Sequence, residues 1–482
     1  MQSKHTMWGV LAALAVSSLA FADAPAATTD VASELGALKA RIAELEKSQN
    51  ENWLNEQRSE QIKGLVQEVI SDARARGQFQ DSGLLAGYNK GFFLKSADDN
   101  FLLKIGGRIQ VRYTYAFHDK KSNAVDATAT PSNDTGVSGF SIRRALINFS
   151  GNVLSKDLTY KIEGEFGNGN DSGAFLLNEA WIGYRFSDML KFRAGAYDAP
   201  FSRTNLNSNG SLAFAERPEV MTPFEPAKTI GASVYGDFIT DIWSYDVEVC
   251  NGGDGSQRTK AAAGYETGNG DNRMGFYART VYAGAGTLKD FADEPDLRDP
   301  AKGRDFIWSV GTAVGYDSQA NDANTKSLTI KGLGTNNAPG FSSAVNLRGD
   351  VFRGTVDFAA KYEGWHFLVA GFFQQVNSSN TISNFQDSSG FEYAGYAQVG
   401  YMILPRKLEL LARAGALVTE DSPNMGTYYS VGANYYLFGT HTAKIQSDVT
   451  FAPSESAFSS SSNATGLNTQ DIVARVTLQL GF

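Results

Sequence analysis

Between residues 90 and 482, charged and apolar side chains alternate again and again with a period of two. In Lys104-Ile105-Gly106-Gly107-Arg108-Ile109-Gln110-Val111-Arg112-Tyr113, one face carries Lys104, Arg108, Gln110 and Arg112. The other face carries Ile105, Ile109, Val111 and Tyr113. Successive side chains of a strand point to opposite sides, so such a run is a strand with one apolar and one polar face. Segments 160–166 and 190–197 repeat the scheme. The apolar face must be covered, by a second sheet in a sandwich or by lipid around a closed barrel.

Strand number, connection length and the chain end separate these two folds. Sixteen segments can be placed, from 100–116 and 138–151 through to 440–452 and 471–482. An even number brings both chain ends to one side, as in exported single-chain barrels. The connections alternate between short ones (186–189, 238–240, 363–364, 404–406, 438–440) and long Asn-, Ser- and Gly-rich ones. The long ones are 117–137, 198–227, 252–271, 318–348, 378–390 and 453–470. Short periplasmic turns and long external loops predict this asymmetry. One stretch, 285–303, is long yet falls on the short side, where it leaves room for a miscounted strand. Tyr113, Tyr115, Trp181, Tyr184, Phe186, Tyr396, Tyr401, Tyr435 and Tyr436 stand near strand ends and suggest aromatic girdles. The final strand, 472–482, alternates throughout and ends in Phe482. A closing strand with a terminal aromatic resembles the signal read by the outer-membrane insertion machinery. The predicted fold is all-β, a 16-stranded antiparallel transmembrane β-barrel over 90–482, preceded by a short α-helical coiled coil.

The N-terminus sets the compartment. Lys4 and His5 precede an apolar run over 7–19, and Ala20-Phe21-Ala22 supplies small residues for cleavage. Residues 1–22 therefore read as a signal peptide. No later stretch approaches the ~18 apolar residues of a membrane helix. Over 31–76, Leu35, Leu38, Ile42 and Leu45 follow the 3-4-3 spacing of a coiled-coil seam, flanked by Lys39, Arg41, Glu44 and Glu46. The frame then meets Gln49, Asn52, Glu56 and Ser59 before apolar residues return at Val66 and Ile70. This segment is predicted to be a periplasmic coiled coil that self-associates, or else a helix lying along the barrel or the cell wall.

Other chemistry is thin. The net charge of −9 counts against nucleic acid as a partner. Cys250 is the single cysteine, and His5, His118, His366 and His441 are scattered, so neither a disulfide framework nor a metal site is expected. No nucleophile elbow, P-loop or dinucleotide fingerprint is placed at a strand–helix junction. No enzyme, cofactor or metal is expected.

A set of local motifs carries a family resemblance. They are Gly91-Phe92-Phe93-Leu94-Lys95-Ser96, Leu103-Lys104-Ile105-Gly106-Gly107-Arg108-Ile109-Gln110, Phe140-Ser141-Ile142-Arg143-Arg144-Ala145 and Leu177-Asn178-Glu179-Ala180-Trp181-Ile182-Gly183-Tyr184. The sharpest is Gly195-Ala196-Tyr197-Asp198-Ala199-Pro200-Phe201-Ser202, followed by Glu216-Arg217-Pro218. With these the chain resembles the phosphate-selective porins O and P of Gram-negative outer membranes. The resemblance implies a trimeric porin with a basic lumen and a third loop folded inward as the constriction. The family usually carries Lys where this chain has Asp198, which lowers the positive charge at the mouth of that loop.

The lumen can also be read without the family. Sixteen strands leave a water channel, whose selectivity comes from charges at its narrowest point. Alternation points Lys104, Arg108, Arg112, Arg144, Lys161, Glu163, Glu165, Lys191 and Arg193 inward, a wall biased toward anions. Loop 198–227 supplies the constriction candidates Arg203, Glu216, Arg217 and Glu219, with Pro218, Pro223 and Pro226 to stiffen it. The predicted function is passive diffusion of small hydrophilic solutes, with a preference for anions such as phosphate. The expected partners are outer-membrane lipids, those solutes or anions, and two further copies of the chain in a homotrimer. A second reading makes the barrel a structural anchor tied to the cell wall through the coiled coil.

Overall fold

The computed structural model describes residues 36–44, 84–89, 91–117, 136–166, 175–226, 228–251, 274–319, 349–378, 389–419, 422–452 and 472–482. Residues 1–22, read as a signal peptide, and residues 31–35 and 45–76 of the predicted coiled coil lie outside the described residues. Within 31–76 the described stretch, 36–44, is helical and exposed throughout. It belongs to a unit separate from the one that begins at Gln80. The long connections, apart from 198–227, also lie largely outside the described residues.

The second unit is built from strands. A hairpin of β1 (Leu84–Tyr88) and β2 (Phe92–Ser96) comes first, ahead of the sixteen segments placed from the sequence. The wall opens with β3 (Leu102–Phe117), β4 (Gly136–Asn152), β5 (Leu158–Phe166), β6 (Phe175–Arg185), β7 (Lys191–Asp198) and β8 (Lys228–Ile239). It continues through β9 (Trp243–Cys250), β10 (Gly275–Ala285), β11 (Ile307–Gln319), β12 (Gly349–Tyr362) and β13 (Trp365–Ser378). The last members are β14 (Ser389–Leu404), β15 (Leu408–Thr419), β16 (Ser422–Tyr436), β17 (Ala443–Phe451) and β18 (Ile472–Gly481).

Each strand from β3 to β18 pairs antiparallel with the next, and β18 returns to β3, from Ile472 opposite Phe117 to Gly481 opposite Arg108. The sheet is thus a closed barrel of sixteen strands, which abolishes the free edges that an open sheet would expose. Below β18, the same edge of β3 is taken by β2, which pairs with Leu102–Ile105. Phe482 locks the seam: its N–H donates to the Gly107 carbonyl at 3.0 Å, and its carbonyl accepts from the Gly107 N–H at 2.9 Å.

The alternation does what the period of two requires. Ile109, Val111, Tyr113 and Tyr115 are exposed on the outer face, while Gln110 and Arg112 between them are buried on the inner one. Three residues assigned to the girdles face inward instead. Trp181 pairs with lumen-facing Lys161, Tyr396 bonds Thr204 of the inward loop, and the Tyr436 hydroxyl bonds Glu409. Tyr435 and Tyr436 are neighbours in one strand, so only one of them can meet lipid.

The stretch 285–303 hides no strand. It holds two 3-10 turns, Leu288–Phe291 and Pro300–Lys302, and the connection folds into the barrel, with Phe291 and Asp296 buried. Sixteen strands therefore account for the wall. Their interior is only partly hollow. Phe201, Val220, Met221 and Phe224 from connection 199–227 pack on Tyr277, Leu368, Phe372, Tyr396 and Tyr428 in one buried apolar cluster.

Candidate functional site: the passage beside the inward loop

Connection 199–226 leaves the end of β7 and crosses the lumen. Ser202 caps a short helical turn, Arg203–Leu206, by accepting from the Asn205 N–H. Beyond it the chain runs to the far wall, where buried carbonyls need donors. Lys444 Nζ donates to the Leu212 carbonyl at 2.9 Å, and Asn434 Nδ2 and Gln446 Nε2 donate to that of Ala213 at 2.7 and 2.8 Å. Arg203 Nε donates to Asp357 Oδ1 at 2.6 Å, while Arg279 Nη2 reaches Asp357 Oδ2 at 2.5 Å. Full burial of Phe201 and Phe224 adds about 1.5–3 kcal/mol each. The loop is pinned, and among the described residues its apolar side packs on the lumen-facing side chains of β10 and β12–β17.

A polar cavity of about 650 Å³ remains between the loop and the wall of β3–β8. From β3 and β4 it receives Arg108, Arg143 and Arg144, and from the loop Asn205, Asn207, Arg217 and Glu225. Lys161, Glu163, Glu165, Asn178, Glu179, Asp198 and Lys228 line it from β5 to β8. Guanidiniums thus concentrate at β3 and β4 and carboxylates at β5–β8. The latter are partly balanced: Lys161 lies 2.8 Å from Glu179, and Lys228 lies 2.6 Å from Asp198 and 3.2 Å from Glu179.

Glu216 holds the loop to the basic sector. Its carboxylate accepts from Arg112 Nη1 at 2.5 Å and from Arg143 Nε at 2.6 Å, with Arg144 Nη2 at 3.6 Å. Burial alone would raise its pKa, but the guanidiniums of Arg143, Arg144 and Arg112 outweigh burial and hold it well below the usual range. Glu225 shows the opposite balance. Burial pushes it up to about 7, against Ser202 and Arg217, which favour its ionised form.

Of the lumen candidates, Arg108, Arg144, Lys161, Glu163 and Glu165 line this cavity. Arg112 is buried against Glu216. Lys191 and Arg193 pair with Asp237 at 3.1 Å and Asp246 at 2.5 Å, and Lys104 is exposed. Of the constriction candidates, Arg217 lines the cavity, and its guanidinium donates to the carbonyls of Thr204 and Asn205, both at 3.0 Å. Arg203 is buried against Asp357 on the packed side, and Glu219 opens the 3-10 turn Glu219–Met221. The sequence reading missed Arg143, which reaches the lumen through a bulge opposite Gln110 and Val111. It also passed over Glu179 and Lys228, although Glu179 keeps the period of Lys161 across the β5–β6 pair.

A closed sixteen-stranded barrel, lipid-facing outside, with an inward loop beside a charged aqueous cavity, defines an outer-membrane porin. The sequence model for "phosphate-selective porin O and P" matches residues 110–480. The chain belongs to that family, a family of diffusion channels rather than enzymes. Among solved structures, the barrel is similar to an anion-selective porin from Comamonas acidovorans, at 10% identity and a TM-score of 0.50. That likeness covers 79% of this chain and 99% of the other. OprB of Pseudomonas putida is similar at 10% identity and a TM-score of 0.50, covering 85% of this chain and 96% of the other. No curated protein matches the chain in sequence.

Proposed function

We propose that this outer-membrane channel passes small hydrophilic solutes with a moderate preference for anions, phosphate among them. The observation that carries this reading is the arginine sector. Arg108, Arg143, Arg144 and Arg217 line the cavity, and Glu216 compensates Arg112, Arg143 and Arg144 as a single carboxylate. Guanidinium matches phosphate and carboxylate geometry, and a water-filled site keeps each contact weak enough for release. The anion-selective porin among the structural neighbours supports the same sign. The carboxylates of β5–β8 temper the preference. Asp198, for instance, sits where the family usually carries Lys and is offset by Lys228.

Arg217 is the selectivity residue we assign to the loop, and Arg203, Glu216 and Glu219 hold the loop in shape. The homotrimer is carried over from the family resemblance. The tether reading has no observation in its favour, and an anchor has no use for a charged internal cavity. Reversal potentials across planar bilayers under a potassium chloride gradient test the proposal. A potential of the sign for chloride permeation supports it. A cation-selective potential that is unchanged in Arg217→Gln overturns it.

A further inference from the structure

The two connections that enter the barrel come from opposite ends. Connection 199–227 follows β7, whereas 286–306 follows β10, so in an antiparallel wall they enter from opposite mouths. They meet inside. The Glu294 N–H donates to the Ser211 carbonyl at 3.2 Å, and Glu294 Oε2 accepts from the Ala213 N–H at 2.9 Å. The same carboxylate oxygen accepts from Gln398 Nε2 of β14 at 3.0 Å. One buried side chain thereby ties the tip of the inward loop both to the opposite connection and to the wall.

The segment carrying Glu294 is itself held. Lys361 Nζ of β12 donates to the carbonyls of Asp290, Asp293 and Pro295 at 2.7, 2.6 and 3.0 Å. Three acceptors saturate an ammonium group, which suits a fixed position. Asp296 Oδ2 accepts from the Gly364 N–H at 3.0 Å in the turn between β12 and β13. No strand pairing explains this folding-in, because the connection adds nothing to the sheet. Its contacts are with the inward loop, with lumen-facing side chains and with the turns after β8 and β12.

We propose that 286–306 is an internal strut that seats the inward loop, with Glu294 as the positioning residue, so that passage width is set from the periplasmic end. Glu294 is not among the residues lining the cavity, so it acts through the loop rather than on the solute. The proposal goes beyond ion preference and is independent of it, since loop excursions interrupt current whatever ion carries it. The acceptor that Glu294 gives the Ala213 N–H is the tip's side-chain tie to the opposite connection, and a hydrogen bond to a carboxylate is worth a tenfold or greater shift in an equilibrium.

Single-channel recording on the full barrel, with polyethylene glycols as size probes, tests the proposal. Glu294→Ala is expected to raise the frequency of brief closures roughly tenfold and to admit larger polymers. Glu294→Gln, which keeps an acceptor for the Ala213 N–H, should restore most of the wild-type record. Lys361→Met should move the record in the same direction as Glu294→Ala. Folded Glu294→Ala and Lys361→Met barrels with wild-type closure frequency and polymer cut-off would overturn the proposal. Should Glu294→Ala fail to insert, Gln398→Ala removes only the wall partner. A several-fold rise in closures there supports the strut, and an unchanged record refutes it.

Discussion

Arg143 Nε donates to Glu216 Oε1 at 2.6 Å, and the bond exists because β4 carries one extra residue opposite Gln110 and Val111. In a regular strand, Arg143 and Arg144 would point to opposite faces and one guanidinium would meet lipid. The bulge turns both toward the lumen and onto a single carboxylate. Glu216→Gln would leave the buried guanidiniums of Arg112 and Arg144 and the half-buried one of Arg143 around a neutral amide. Removing one partner of a buried ion pair costs about 3–5 kcal/mol, so the folded barrel should lose heat resistance, read by its mobility shift on denaturing gels. Glu216 is held below its unfolded value of 4.5, so its stabilisation is present above that pH and lost as pH falls below it.

Glu225 predicts a second pH dependence with the opposite sign. Its pKa stands near 7, against 4.5 for an exposed glutamate. The folded state keeps its proton longer, so stability is full below about pH 4.5 and declines as pH rises toward 7. Ionisation also adds one negative charge to the cavity, near Arg217, Asp198 and Arg279. The ratio of anion to cation permeability should fall between pH 5.5 and 8.5, and Glu225→Gln should flatten that profile.

Arg217 and Arg203 stand on the same loop yet should respond differently to neutralisation. Arg217 lines the cavity and donates to backbone carbonyls, so Arg217→Gln should shift the reversal potential toward cations while leaving the barrel folded. Arg203 is buried against Asp357. Arg203→Gln should instead lower stability by a few kcal/mol, about the cost of breaking a buried pair, and disturb open-channel noise more than selectivity.

The seam at the C-terminus predicts an assembly defect. A Cβ on Gly107 would stand 2.5 Å from Cζ of Phe482 and 2.8 Å from the Leu146 carbonyl. Gly107→Val should therefore reduce the yield of inserted barrel without altering the selectivity of channels that do form. Deleting Phe482 should act in the same direction, because it removes both hydrogen bonds to Gly107.

The wall was legible because lipid and water impose a period of two on every strand. The end of β12 at Tyr362, for example, coincides with the predicted one. Arg108, Lys161 and Glu165 could be assigned to the lumen for the same reason. Arg143 could not, since a bulge changes phase without leaving a residue signature. The filling of the lumen was also hidden. Phe201, Val220 and Phe224 read as loop residues, and nothing local says that they will meet Tyr277 and Phe372 across the barrel. Segment 286–306 was visible only as a length anomaly, because its partners Lys361 and Gln398 are distant in sequence.

Solute has room between the inward loop and β3–β8, whereas among the described residues the loop packs tightly beneath β10 and β12–β17. Single cysteines can report this, since Cys250 is buried and the chain has no other. Current through Glu165→Cys and Gln446→Cys channels should be followed while a charged, water-soluble thiol reagent is added. A stepwise fall in current is expected at position 165, which lines the cavity, and none at position 446, whose side chain is 1% exposed under Leu212 and Ala213. Block at 446 equal to that at 165, or no block at 165, would place the passage elsewhere.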